Sequence, residues 1–263
     1  WLTRSVEVDS LQAFCDAGAD LVAETLASRY SVTLLADSDQ RHLVTLRGVR
    51  SYADYRALQR SLEGLEAVRR VMEGQLDNAF CAIRPPGHHA EVDKAMGFCY
   101  FNNVAIAARY LQQQWGIERV GIIDFDVHHG NGTQHIFDTD NTVFYYSIHE
   151  HPSFAYPGTG REFETGFSTG EGFTKNSPIL PGRGDDEYRE RLLTDLVPTF
   201  EDFGPDAVLL SAGFDAHEND LMSGTNLSTE GYEFINDTIF DLVSSSTGGR
   251  VVSVLEGGYD LQI

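Results

Sequence analysis

From residue 79 onward, short apolar runs alternate with stretches of helical period, and this alternation restricts the fold more than any other feature. Ala79–Arg84, Arg119–Asp126, Thr142–His149, Asp206–Gly213 and Arg250–Glu256 are dense in Val, Ile, Leu and aromatic residues. They lack the apolar–polar alternation of a half-exposed strand, so they read as strands buried on both faces. Between them the spacing predicts helices from Asn102 or Asn103 to about Trp115, from Asp185 to about Phe203 and from Ser228 to about Ser245, with Asn and Ser as N-caps. Strands separated by helices cannot close as tight hairpins. They form a mainly parallel multi-stranded sheet with helices on both faces, an α/β fold. Upstream, residues 11–29 and 52–76 have a helical pattern and Ser31–Leu35 a β-like one. No linker or repeat interrupts the 263 residues, so a single domain over 1–263 is expected.

Composition excludes several classes. No apolar run approaches the roughly 18 residues needed to span a bilayer. Nineteen bases against 40 acids give a formal charge of −21, which disfavours direct nucleic-acid binding. Only Lys94 and Lys175 are lysines; the other bases are Arg. An acidic, Lys-poor, halophilic-like surface is the preferred reading of that balance, and attraction of cationic partners is its rival. Cys15, Cys81 and Cys99 form an odd set without zinc-type spacing, which points to a reducing, cytoplasmic setting. The chain opens at Trp1 without Met or a signal pattern, so it is expected to be a segment of a longer protein.

The residues that carry chemistry cluster just after the predicted strand ends, where open α/β sheets bind ligands. Strand alternation continued through Asp124-Phe-Asp-Val-His128 puts Asp124, Asp126 and His128 on one side and Phe125 and Val127 on the other. Asp215, at another strand end, adds a carboxylate. Carboxylates with an imidazole suit zinc or Fe(II), and three protein ligands leave an open, catalytic position. His88-His89 follow the rigid Pro85-Pro86-Gly87 turn, as general acid–base imidazoles require. Asp124 and Asn131 are natural partners for their far ring nitrogens. The histidine paired with Asp124 should stay charged while the other remains a base near neutral pH. Tyr259, after two glycines at the last strand end, can donate to a developing oxyanion. Gly97-Phe98-Cys99-Tyr100 and Tyr156-Pro157-Gly158-Thr159-Gly160 are either plain turns or an aromatic slot for a slender aliphatic chain.

Taken together, Arg84-Pro-Pro-Gly-His-His-Ala90, Gly97-Phe-Cys-Tyr-Phe-Asn-Asn103, Asp124-Phe-Asp-Val-His-His-Gly-Asn-Gly132, Tyr156-Pro-Gly-Thr-Gly160, Ser211-Ala-Gly-Phe-Asp215 and Glu256-Gly-Gly-Tyr259 resemble the zinc-dependent histone deacetylase family over residues 79–260. Asn131 resembles the class II and bacterial or archaeal branch. The resemblance implies the arginase/deacetylase fold, with about eight strands in the family. It implies one zinc per chain on Asp126, His128 and Asp215, His89 as general base and then acid, and His88 paired to Asp124. It further implies Tyr259 as a carbonyl-polarising donor, the Gly97 carbonyl as acceptor of a substrate N–H, and Phe98 and Tyr156 as tunnel walls. Asp124, Asp126, His128 and Ser147 match the family's structural potassium site. The implied reaction is hydrolysis of ε-N-acetyl-lysine amides in proteins or peptides, releasing acetate.

The family's opening strand and His-Pro-Glu segment are not recognisable in residues 1–78, and the chain stops four residues after Tyr259. Three rival functions share parts of the pattern. An acetylpolyamine deacetylase can use an acidic gatekeeper seven residues after the third metal ligand; here that residue is the neutral Met222. An arginase-like ureohydrolase needs two metals. A non-catalytic acyl-lysine binder would have lost part of the set that is complete here.

Overall fold

A computed structural model of the chain describes residues 64–260. By its contacts the chain divides into two compact units, Trp1–Arg60 and Ser61–Ile263, and the described residues all lie in the second. The single-domain expectation, the helix over 11–29, Ser31–Leu35 and Cys15 therefore fall wholly or partly outside them. Of the helix expected over 52–76, residues 64–76 are described: 64–72 are helical, and 73–76 are turn and irregular structure, so the helix ends earlier than expected.

The elements that follow are β1 (Asn78–Cys81), α1 (Asn103–Trp115), β2 (Val120–Asp124), α2 (Asn131–Phe137), β3 (Val143–Glu150), β4 (Thr174–Ile179), α3 (Asp185–Arg191), α4 (Val197–Phe203), β5 (Ala207–Ala212), α5 (Thr229–Thr247) and β6 (Val251–Leu255). Among the described residues, six strands form one sheet in the order β1-β6-β5-β2-β3-β4. Every pairing is parallel, as the helical connections require. The sheet alternation sorts the core onto two faces. Ile123, Phe144, Tyr146 and Leu210 pack with Tyr188, Leu192, Leu196 and Phe200 and with Ile235 and Ile239 of α5. On the opposite face Ile122, Tyr145, Leu209 and Val252 pack with Val104, Ala108 and Leu111 of α1 and Phe137 of α2. Each such Ile, Leu or Phe contributes about 1.5–3 kcal/mol by leaving water.

Local signals set the helix ends. The Asn102 side chain accepts the Ala105 N–H at 3.0 Å, and Gly116 ends α1 with φ 64°. Ser228 caps α5 in the same manner through the Gly231 N–H. The helix expected over 185–203 is continuous but contains a π-turn, Leu192–Leu196, directly before α4. Pro198, which has no N–H to give the preceding turn, accounts for the shift.

Two elements differ from the sequence expectation. β4 has no apolar run: Thr174-Lys-Asn-Ser-Pro-Ile179 lies at the sheet edge and, among the described residues, pairs only with β3, where a strand proline is tolerated. α2 is a seven-residue helix in the polar stretch after His129. No helix among the described residues is long and apolar enough to cross a membrane. Cys81 and Cys99 are buried, free thiols.

The order places the chemistry. From β2 the chain moves one way to β3 and β4, then returns to lay β5 on the other side of β2. The crevice beyond the C-terminal ends of β2 and β5 is thus the point where the winding reverses.

Candidate metal centre and catalytic site

Asp126 and His128 follow β2, and Asp215 follows β5, whose Ser211 is the register partner of Asp124. The alternation of β2 continues past its hydrogen-bonded end: Phe125 and Val127 enter the core while Asp124 and Asp126, both 0% exposed, stay on the opposite side. Backbone amides fix each carboxylate. Asp126 accepts the His128 N–H at 2.8 Å and the Gly257 N–H at 2.6 Å, and Asp215 accepts the Val127 N–H at 3.1 Å. Asp126 Oδ1, the oxygen that accepts the His128 N–H, and the second oxygen of Asp215, Oδ2, converge on His128 Nδ1 at 3.2 and 3.0 Å. Gly257 is required there, since a Cβ would lie 2.0 Å from Asp215 Oδ2.

One ligand atom from each of Asp126, His128 and Asp215 lies within 4.8 Å of the others, a span that one small divalent ion can bridge. The electrostatics ask for such an ion. Burial and the Asp126 charge push the Asp215 carboxyl up. Burial also works against a charged His128, yet the two carboxylates hold its imidazole up to about 10. The donor set is therefore that of a borderline divalent cation such as zinc.

Beside this trio stand His88 and His89, with ring centroids 4.1 Å apart. Glu256, at the end of β6, holds their loop by accepting the Gly87 and His88 N–H groups at 2.6 and 3.1 Å, and it also accepts the Ser211 hydroxyl at 3.0 Å. Glu256 belongs to the Glu256-Gly-Gly-Tyr259 motif, but the motif alone assigns it no role. A carboxylate ending a run of buried valines must have partners, and that was the available signal.

His88 Nδ1 lies 3.0 Å from Asp124 Oδ2, which also accepts the Tyr145 hydroxyl at 2.9 Å. His89 Nδ1 lies 2.8 Å from Asn131 Oδ1. Asn131 turns its amide N–H₂ to Glu91, so its carbonyl faces the ring. His89 must then carry its proton on Nδ1, leaving Nε2 as the free base.

Burial opposes charge on both rings. For His88 the carboxylates of Asp124, Asp126 and Glu256 outweigh it and raise the pKa well above the usual value. For His89, burial and the neighbouring His88 charge bring it down to about 3. The separation runs in the expected direction: His88 is held charged, and His89 remains an uncharged base near neutral pH. An amide partner does not offset burial as a carboxylate does.

The rim residues are more open. Met96 and Cys99 bridge across a tight turn whose central residues, Gly97 and Phe98, have φ 56° and 64°, as in a type I′ turn. A Cβ at Gly97 would lie 2.3 Å from His89 Cδ2. Phe98 is held 70% exposed in a conformation that costs a bulky residue on the order of 1–3 kcal/mol. The Gly97 carbonyl accepts the Cys99 S–H at 3.2 Å. Tyr156 sets its ring edge-on to His89 at 4.9 Å, and Met222 is half-exposed. Tyr259 is 40% exposed; partial burial and the charges of Asp215 and Asp126 raise its pKa, which keeps it a phenol.

A further buried network went unnoticed in the sequence. His129 contacts Thr159 and Gln134 at 2.8 and 2.9 Å, and His149 Nε2 donates to the Gly160 carbonyl at 2.8 Å. Glu164 accepts the Gly160 and Arg161 N–H groups, both at 2.9 Å. Together they pin the loop that carries Tyr156. Because His149 Nε2 donates, its Nδ1 accepts the Ser147 hydroxyl at 2.8 Å.

Residues 35–263 match the family described as the histone deacetylase domain, so the match starts well upstream of the motifs recognised from residue 79. The chain is 45% identical over 183 residues to histone deacetylase 10, chloroplastic, of Oryza sativa subsp. japonica, covering 70% of this chain and 41% of that protein. It is 42% identical over 204 residues to histone deacetylase 9 of Homo sapiens, covering 75% of this chain and 20% of that protein. Among solved structures it is similar to an HDA15 HD domain, with a TM-score of 0.75 and 38% identity over 81% of this chain and 61% of that one.

Proposed function

The chain belongs to the histone deacetylase family, and from that premise we propose that it hydrolyses ε-N-acetyl-lysine amides in proteins or peptides, releasing acetate. The observation that carries the reading is one constellation: a buried Asp126–His128–Asp215 trio beside a neutral His89 whose Nε2 is left free by its bond to Asn131.

Zinc, held by Asp126, His128 and Asp215, would supply a water of lowered pKa and polarise the acetyl carbonyl. His89, neutral at Nε2, takes the water proton and returns it to the departing amine. His88, charged and paired with Asp124, keeps positive charge beside the reacting centre, and Tyr259 donates its O–H to the developing oxyanion. Asn131 fixes the His89 tautomer. Phe98 and Tyr156 flank the aliphatic stem, and the Gly97 carbonyl receives the substrate N–H. A structural potassium ion at Asp124, Asp126, His128 and Ser147 completes the proposal; it is supported by the pairing of Asp124 with Ser147 on adjacent strands.

Acetate release from an acetylated peptide, with one zinc per chain and inhibition by a hydroxamate chelator, is the expected result. Two manganese ions per chain would instead give the site to ureohydrolase chemistry. Stoichiometric zinc with peptide binding but no acetate would make it a binder. Met222, seven residues after Asp215, offers no anion to a distant ammonium. The kcat/KM for an acetyl-lysine peptide is therefore expected to exceed that for acetylputrescine.

A further inference from the structure

Five residues after Asp215 lies a second carboxylate that the reaction does not use. Asp220 is 4% exposed, and both of its oxygens are occupied by backbone N–H groups. Oδ1 accepts the Met222 N–H at 2.9 Å; Oδ2 accepts those of Tyr259 at 2.7 Å and Asp260 at 3.1 Å. Its own N–H donates to the His217 carbonyl at 2.8 Å. The surrounding segment is tied down by Glu218 N–H to Leu227 O at 2.9 Å and Leu227 N–H to Ala216 O at 3.2 Å.

Upstream of Tyr259, other groups restrain the backbone. Arg84 reaches the Glu256 and Gly258 carbonyls at 2.6 and 3.4 Å, and Asp126 holds the Gly257 N–H. These bonds end one residue short of the phenol-bearing residue. Gly257 and Gly258 offer no side chain to pack, so the direction in which Tyr259 leaves the strand end depends on what grips its own amide. That group is Asp220, and the same carboxylate sets the rim residue Met222.

We propose that Asp220 is a positioning residue that aligns Tyr259 over the metal trio and couples that alignment to the Met222 rim. The proposal rests on the hydrolase reading of this site. A carboxylate suits the task because charged acceptors make shorter, stronger bonds to N–H groups than neutral ones do. One such group spans two loops that are far apart in sequence.

The test uses the zinc-loaded chain and an acetyl-lysine peptide. Asp220→Ala is expected to lower kcat about tenfold or more, since small misplacements of reacting groups carry large rate penalties. Asp220→Asn, which retains one acceptor oxygen, should fall between it and the wild type. In a Tyr259→Phe background, Asp220→Ala should cost less than about threefold more, because the group it positions is already gone. Amide hydrogen exchange should quicken at Met222, Tyr259 and Asp260 and stay unchanged in β2 and β5. If Asp220→Ala does not fold, Asp220→Asn carries the same cycle.

Equal losses in both backgrounds, or unchanged exchange at those three amides, would overturn the proposal while leaving the hydrolase reading intact. If the wild type releases no acetate yet the three amides quicken selectively, the bracket stands and the reading of the reaction falls.

Discussion

His88 meets a carboxylate and His89 an amide, and this one difference in partner sends two adjacent imidazoles toward opposite charge states. It also separates their tests. His89 makes no contact with the carboxylates of the metal trio among its hydrogen bonds, so His89→Ala is expected to retain stoichiometric zinc, measured by elemental analysis. Turnover should fall by about 10²–10⁴-fold, the span of a lost general acid–base group. Activity near wild type with zinc intact would remove His89 from its assigned role. Tyr259→Phe deletes a donor that matters where negative charge develops, so kcat should fall by roughly 10²-fold with KM little changed in steady-state assays. At this scale the sequence is informative where a side chain acts through its own chemistry. Asp126, His128 and Asp215 are legible because a period of two and a strand end place them. Asp220, Glu164 and the role of Glu256 are not, because they grip backbone N–H groups, Glu164 those of nearby residues and the other two those of distant loops, and every residue except proline offers the same N–H.

The elements show a similar division. β2, β3, β5 and β6 announce themselves through apolar runs because both of their faces are covered. β4 does not, because this strand, at the sheet edge among the described residues, trades apolar residues for Asn176 and Ser177, which are buried through polar bonds. Between elements, Glu256 joins the end of β6 to the loop after β1 and to Ser211 at the end of β5. Burial pushes its carboxyl up to about 7, and its oxygens accept the Gly87, His88 and Ser211 bonds in either charge state. Gln keeps a carbonyl oxygen for the Gly87 and His88 N–H groups and an amide that donates to Ser211. Glu256→Gln is therefore expected to lie within about 1 kcal/mol of wild type in denaturant unfolding. Glu256→Ala strands two buried N–H groups and should cost about 2–4 kcal/mol. It should also lower kcat, because the loop it releases carries His88 and His89. Equal stability losses for Gln and Ala would show that charge, and not bonding, is what the position supplies.

For the whole molecule the governing quantity is the formal charge of −21. Seven of the described carboxylates are buried: Asp124, Asp126, Asp138, Glu150, Asp215, Asp220 and Glu256. Three of them, Asp126, Asp215 and Asp124, sit where the proposed cations would bind. The others that are described lie partly or fully in water, where they repel one another, and that repulsion is screenable. Raising salt from about 0.1 to 1 M shortens the Debye length from roughly 10 to 3 Å. If the excess negative charge acts by self-repulsion alone, Tm in a calorimetric scan should rise by roughly 3–6 °C, which for a chain of this size is about 1–2 kcal/mol. The rival use of the same charge leaves a different trace. An acidic face that gathers basic substrates would show a KM for a Lys- and Arg-rich acetylated peptide that climbs steeply over the same salt range, while a neutral acetylated peptide is unaffected. The two measurements separate self-repulsion from recruitment because stability responds to the sum of all charges on the chain, whereas a salt-dependent KM responds only to those near the substrate mouth proposed at Phe98, Tyr156 and Met222.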